Sequence, residues 1–215
     1  MKKIHLSTLL ALALFHPAAR AQDSAVFQLQ YDHQPPQRVV IQLDADSAPA
    51  TVANFEKLVR HHFYTGLKVH RIIPHIIVQM GDPLTRHHDL SRIGTGGPGY
   101  TLAPEIHLRN TLGAVAMSRL PDTINPGRRS SGSQFYICLK AMPNLDGQYT
   151  VFGHVTEGMN ALDALSIQEE DTNDYPVTPI FIRSARIVAG PVPALPPPSA
   201  RHFSLWPPAI WPFTH

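Results

Sequence analysis

The chain has 215 residues, 43% of them hydrophobic and 16% charged, which suits one folded domain with tails and excludes disorder throughout. The formal charge of +2 is misleading, because residues 1–21 hold Lys2, Lys3 and Arg20 and no acid, leaving 15 basic against 16 acidic residues in the remainder. No basic stripe is left to track phosphates, so nucleic acid is not an expected partner.

Residues 1–21 have the pattern of a secretory signal peptide. Lys2 and Lys3 form the charged start, Leu6 to Phe15 an apolar run, and Ala19-Arg20-Ala21 a small-x-small cleavage site with an atypical Arg20. The apolar run is about half the ~20 residues that span a bilayer. No cysteine follows the cut, so no membrane anchor is expected after cleavage.

Val26 to Tyr31 and Val39 to Leu43 alternate apolar and polar residues and predict half-buried strands, with Pro35-Pro36 turning between them. Ser47 to Val59 predicts a helix: Pro49 suits its first turn, and Val52, Phe55 and Val59 recur at helical spacing. Val69 to Asp82 reads as two short strands broken by Pro74, with Arg71 sharing a face with Val69 and Ile73, and Ile77 with Gln79. A guanidinium among branched apolar residues is costly to bury without a partner, which makes Arg71 notable.

Residues 81–104 predict a long Gly/Pro-rich loop. Gly94 to Gly99 fits G-x-G-x-x-G, yet no helix can start from Gly96-Gly97-Pro98-Gly99 to hold a pyrophosphate, so a dinucleotide site is rejected. Leu112 to Met117 and Phe135 to Leu139 predict strands, joined by a polar loop from Arg119 to Ser131. Arg128-Arg129 reads as a solvated loop tip, with attraction of acidic target residues as the sharper alternative. Glu157 to Ser166 predicts a second helix and Ile180 to Val188 a closing strand that returns to the first.

Cys138, the only cysteine, allows no intrachain disulfide and reads as a buried, inert thiol. The pairs His61-His62 and His87-His88, with His70 and His75 nearby, lack metal-ligand spacing and read as solvated, so no metal is expected. No Ser-His-Asp arrangement can be placed from residue order. Two helices and about eight strands without βαβ alternation predict a mainly β fold, a closed antiparallel eight-stranded β-barrel capped by two α-helices.

Three blocks occur in order: Val69-His70-Arg71-Ile72-Ile73-Pro74-His75-Ile76-Ile77-Val78-Gln79-Met80-Gly81-Asp82, Gly132-Ser133-Gln134-Phe135-Tyr136-Ile137, and Leu145-Asp146-Gly147-Gln148-Tyr149-Thr150-Val151-Phe152-Gly153. Together they resemble the cyclophilins, prolyl isomerases with the signatures FHRIIPxFxxQGGD, GSQFFI and LDGxxxVFG, over roughly residues 26 to 188. The resemblance implies the same capped barrel, with the site on its outer wall, and an isomerase acting on X-Pro bonds of polypeptides without a cofactor.

It also implies roles. Arg71 is the catalytic donor, and Gln79 contacts Arg71 and the substrate backbone. Ile76 and Ile77, at the usual phenylalanine and methionine, form an aliphatic floor. Tyr136 takes the second phenylalanine of GSQFFI and shares a face with Gln134, leaving Phe135 to the core. Leu145 closes the proline pocket, Tyr149 replaces a histidine, and Ser118 takes a small-residue position on the groove floor. Met80 stands at a usual glycine. Asn144 stands where many members carry the tryptophan that supports cyclosporin binding, so weak sensitivity to that drug is expected.

The expected organisation is a signal peptide over 1–21, an isomerase domain over 22–189 and a Pro/Trp-rich tail over 190–215. For the tail, disorder is the leading reading, with packing on the barrel or docking in a groove, including its own, as the others. The expected protein is a periplasmic or secreted monomer that assists folding of exported proteins. The alternative is a chaperone or adaptor holding proline segments with little isomerase activity. A metal-buffering role rests on the histidines alone.

Overall fold

The computed structural model describes residues 22–87 and 90–193. The signal-peptide expectation and the tail from residue 194 onward lie outside the described residues.

Eight strands form the main sheet: β1 (Ser24–Tyr31), β2 (Gln37–Leu43), β3 (Val69–Ile73), β4 (Ile77–Met80), β6 (Ala114–Met117), β8 (Phe135–Cys138), β9 (Val151–Glu157) and β10 (Ile180–Val188). All pairings are antiparallel, in the order β10-β1-β2-β9-β6-β8-β4-β3. The sheet curls until its two ends meet. Lys68 bridges to Phe181, the Gly66 N–H donates to the Ile182 carbonyl, and the Ile182 N–H donates to the Leu67 carbonyl. The barrel is thus nearly closed, which protects edges that would otherwise invite pairing with other chains. A two-stranded ribbon, β5 (Thr101–Leu102) with β7 (Ser130–Ser131), and a 3₁₀ turn at Pro83–Arg86 organise the stretch expected to be plain loop.

The interior holds an aromatic cluster in which Phe27, Phe55, Tyr64, Phe135 and Phe152 are each 1% exposed or less. Their ring centroids lie from 4.9 Å (Phe55–Phe152) to 6.2 Å (Phe135–Phe152) apart, in the range where tilted and edge-on rings attract. The helix α1 (Pro49–Arg60) covers one end of the barrel and buries Val52, Phe55 and Val59, the stripe read from spacing. Its Ala48 cap offers no side-chain acceptor. The Glu105 carboxylate substitutes, accepting from the N–H groups of Ala50 at 3.0 Å and Thr51 at 2.8 Å. The second helix, α2 (Met159–Ser166), begins after Gly158, whose φ of 97° and close approach to Arg38 O, 2.5 Å from any added Cβ, admit only glycine.

The expected pattern fails at one point in β3. Pairing with β4 runs Val69 to Met80 and then Arg71 to Gln79, so His70 is an extra residue in a β-bulge. Val69 and Ile72 therefore both enter the interior at 1% and 0% exposure, while Arg71 and Ile73 face outward. Arg71 does not share a face with Val69. Met80 is 1% exposed inside the core and takes no place in the outer wall.

Candidate active site

The register aligns Arg71 of β3 with Gln79 of β4, Gln79 with Tyr136 of β8, and Tyr136 with Ala116 of β6. Four neighbouring strands thus carry one row across the outer wall. The bulge at His70 turns Arg71 into that row.

Beside the row lies a second apolar cluster, separate from the interior. Ile77 and Tyr136 are buried in it at 6% and 3% exposure, and Ile76, Leu145 and Tyr149 pack against it half-buried. Phe135, by contrast, sits in the interior. The Tyr136 ring meets Tyr149 edge-on at 5.6 Å, and its hydroxyl donates to Asn110 Oδ1 at 2.8 Å. The hydroxyl that Tyr136 adds to a phenylalanine position is therefore satisfied, and burial raises its pKa above the usual tyrosine range, keeping it neutral. Cys138, fully buried in the same cluster, has its thiol pushed up to about 12 by burial and, secondarily, by Asp146; it is inert.

Gln79, Ser118 and Gln134 lie around the corner, lining a groove of about 630 Å³ between the Gly94–Thr101 stretch and the Arg119–Arg129 loop. Gln79 Nε2 donates to Gln134 Oε1 at 3.4 Å, joining the row to this groove. Gln134 Nε2 donates to the carbonyls of Gly94 at 2.9 Å and Gly96 at 2.7 Å. Ser118 is held by its main chain, donating to Gln134 O at 2.9 Å and accepting from Ser131 N at 2.7 Å.

Sequence reasoning missed the group that shapes the glycine loop. Asp82, fully buried, accepts from the N–H groups of Leu84 at 2.8 Å, Gly94 at 2.6 Å and Gly96 at 3.2 Å. A Cβ on Gly96 would collide with that carboxylate, so the loop's glycine permits close backbone approach around a buried anion. The loop is structural. The signal that would have found it is an acid closing the first block ahead of a loop rich in free N–H groups.

The arginines at the tip of the Arg119–Arg129 loop are solvated as expected, Arg129 exposed and the Arg128 side chain 39% exposed, but each also has fixed partners. Arg128 donates to Gly147 O at 3.0 Å and Asp122 Oδ2 at 3.2 Å, and Arg129 to Thr101 Oγ1 at 2.7 Å and Thr101 O at 2.8 Å. They tie the loop to both walls of the site, so the tip is solvated and anchored at once. Arg119 does the same, donating to Gln148 O at 2.9 Å, pairing with Asp122 and lying 4.7 Å over the Tyr149 ring. Asn144 is exposed on the 3₁₀ turn Pro143–Leu145. Among the described residues no cluster of three or more His, Cys, Asp or Glu could hold a metal ion.

A barrel capped by two helices, with an arginine and a glutamine aligned beside an apolar cluster on its outer wall, defines the class as cyclophilin-like. The description "Cyclophilin type peptidyl-prolyl cis-trans isomerase/CLD" matches residues 26–187. Peptidyl-prolyl cis-trans isomerase B of Bacillus subtilis is 40% identical over 125 residues, covering 57% of this chain and 78% of that one. A probable peptidyl-prolyl cis-trans isomerase of Brucella suis is 38% identical over 160 residues, covering 70% and 78%. The crystal structure of a Cryptosporidium parvum cyclophilin type isomerase superposes with a TM-score of 0.67 at 25% identity, covering 80% of this chain and 99% of that one. The same parasite protein, also solved in the presence of the dipeptide Ala-Pro, superposes with a TM-score of 0.65. The chain belongs to the cyclophilin-type peptidyl-prolyl cis-trans isomerases and is an enzyme of that class.

Proposed function

We propose that this isomerase uses Arg71 as its catalytic donor, with Gln79 at its side, and acts on X-Pro bonds of exported proteins in the periplasm. The observation that carries the site assignment is the row Arg71–Gln79–Tyr136 flanked by the apolar cluster of Ile76, Ile77, Leu145 and Tyr149.

Rotation of an X-Pro bond crosses a barrier of about 18–20 kcal/mol set by amide resonance. It requires no nucleophile and no metal. In the twisted state the imide nitrogen recovers its lone pair, so a donor placed near it favours that state over either planar one. A hydrogen bond from a charged group is worth about 1.5–3 kcal/mol, or one to two decades in rate. The apolar cluster supplies a surface for the proline ring, and Gln79, half-exposed in the row, supplies polar groups for the flanking backbone; Gln134, its amide spent on the Gly94 and Gly96 carbonyls and on Gln79, and Ser118, its hydroxyl buried, support the groove wall.

The test is cis-to-trans relaxation of an X-Pro peptide by NMR exchange. The wild type should accelerate it, and Arg71→Ala should lose roughly 10–100-fold with its fold intact. Arg71→Lys should recover only part, lacking the planar fork. Near wild-type turnover in Arg71→Ala would overturn the donor assignment. No acceleration by folded wild type would leave a proline-segment binder. The export reading is supported by Lys2-Lys3, the Leu6–Phe15 run and Ala19-Arg20-Ala21. Recovery of the chain from the periplasmic fraction with its first 21 residues removed is the expected result, and a full-length cytoplasmic product would refute it.

A further inference from the structure

We infer that Asp174 is a positioning residue for Arg71, holding one side of the guanidinium so that its outer nitrogens stay free for the substrate. The inference rests on the donor role proposed for Arg71. Arg71 Nε donates to Asp174 Oδ2 at 2.9 Å, and this is the only hydrogen bond Arg71's side chain makes among the described residues. A guanidinium carries five N–H donors. One is taken by Asp174, and the four on the two terminal nitrogens have no acceptor among the described residues.

Asp174 also grips the strand itself. Its carbonyl accepts from the N–H of Ile72, the residue after Arg71, at 2.8 Å. One residue therefore fixes both the main chain at the end of the bulge and the side chain that the bulge turns outward. Because β3 is the last strand of the sheet order, its outer edge is open to such a contact.

The loop between α2 and β10 is built to deliver this residue. Asp174 has φ of 61°, a left-handed conformation that Asp and Asn tolerate better than other side chains. Its N–H donates to Asp171 O at 3.1 Å. The Asp171 carboxylate accepts from the N–H groups of Asn173 at 2.8 Å and Tyr175 at 3.0 Å, and the Asp171 N–H donates to Tyr175 O at 2.9 Å. The turn thus closes on itself before it meets β3.

Arg71 and Asp174 side chains are 42% and 40% exposed, and an ion pair so open to water adds little to stability. Its consequence lies in geometry, since a long side chain released from one anchor samples rotamers that miss the imide nitrogen.

The experiment measures turnover and thermal midpoint for wild type, Arg71→Ala, Asp174→Asn and the double variant. Asparagine keeps the left-handed turn and the main-chain bond while removing the charge. Asp174→Asn should lower kcat about tenfold, short of the ~10²-fold that a 1 Å misplacement can cost, with an unchanged midpoint. In the Arg71→Ala background the same change should cost nothing further. Unchanged kcat in Asp174→Asn, or an equal loss in both backgrounds, overturns the positioning role. Near wild-type turnover in Arg71→Ala overturns the donor assignment itself and this inference with it, so the two failures are read from different variants. Where Arg71→Ala leaves too little turnover to measure, the Arg71 Nε–H NMR signal decides. It should be ordered and slowly exchanging in wild type and mobile in Asp174→Asn, and an identical signal in both overturns the role.

Discussion

His70 stands beside Arg71 in the bulge, 5% exposed, with no hydrogen-bond partner in good geometry at either ring nitrogen among the described residues. Burial drives its pKa down to about 4, against the pull of Asp82 and Gln134 and with a further push from Arg71, so the ring is neutral at pH 7. The unfolded chain titrates this residue near 6.5. Between about pH 6.5 and 4 the unfolded state therefore binds the proton that the native state refuses, and stability falls as pH drops through that window. The loss from His70 totals roughly 2–4 kcal/mol and levels off below the folded value. Denaturant unfolding at a series of pH values should show a shallower decline for His70→Gln than for wild type over this range. Parallel declines would mean that other groups carry the acid sensitivity.

Elements here are completed by residues from elsewhere in the chain. Helix α1 has a proline at its start but no cap of its own, and Glu105, 55 positions beyond Ala50, supplies the acceptor. Burial pushes the Glu105 carboxyl up, yet the N–H groups of Ala50 and Thr51 outweigh it and hold the pKa below its ordinary value. A group lowered in this way stabilises the fold above its unfolded pKa and loses that contribution as pH falls through the folded one. Glu105→Ala should therefore cost about 1 kcal/mol at pH 7, as loss of a helix cap does, and the difference from wild type should close once the pH is well below ~4. Chemical denaturation at pH 7 and at pH 3 checks this. A difference that persists at acid pH would assign Glu105's contribution to packing.

At the scale of the molecule, closure is what unites the site. β10 pairs with β1 along its length and meets the start of β3 through Phe181 and Ile182, so the wall bearing Arg71 depends on residues from both ends of the domain. Among the described residues the last anchoring bonds are Gly190 N to Asp23 Oδ1 at 3.2 Å and Ser24 Oγ to Gly190 O at 3.0 Å. A chain ending at Pro193 keeps them all, and its thermal midpoint should equal that of the full chain. A lower midpoint would show that residues 194–215 pack on the barrel. Higher turnover in the shorter chain would show that the Pro/Trp segment occupies its own groove, and unchanged turnover would dismiss that reading. Because Trp206 and Trp211 are the only tryptophans, circular dichroism is the suitable probe of barrel unfolding.

Local chemistry was enough to read most elements and their inward faces. The stripe Val52, Phe55 and Val59, the proline at the start of α1, and the parity separating Phe135 from Tyr136 all follow from periods of 3.6 and 2 within a few residues. Arg71 and Gln79 were legible as site residues through the resemblance of the Val69–Asp82 block to the cyclophilin signature, a block short enough to be read whole because two short strands and the turn between them hold both. Parity failed at His70, since a bulge is a mismatch between partner strands and leaves no mark on one strand alone. The partners that finish the site were equally hidden. Asp174 lies 103 positions from Arg71, and Asn110 lies 26 from Tyr136. Such pairs form only when the closed sheet brings distant turns onto one wall. Residue types and periodicity determined that this chain would build a capped barrel with an arginine in one short strand; that a bulge turns this arginine outward, and which groups hold it and satisfy the tyrosine beside it, was decided by tertiary structure, because strand register and hydrogen bonds depend on distance in space and not along the chain.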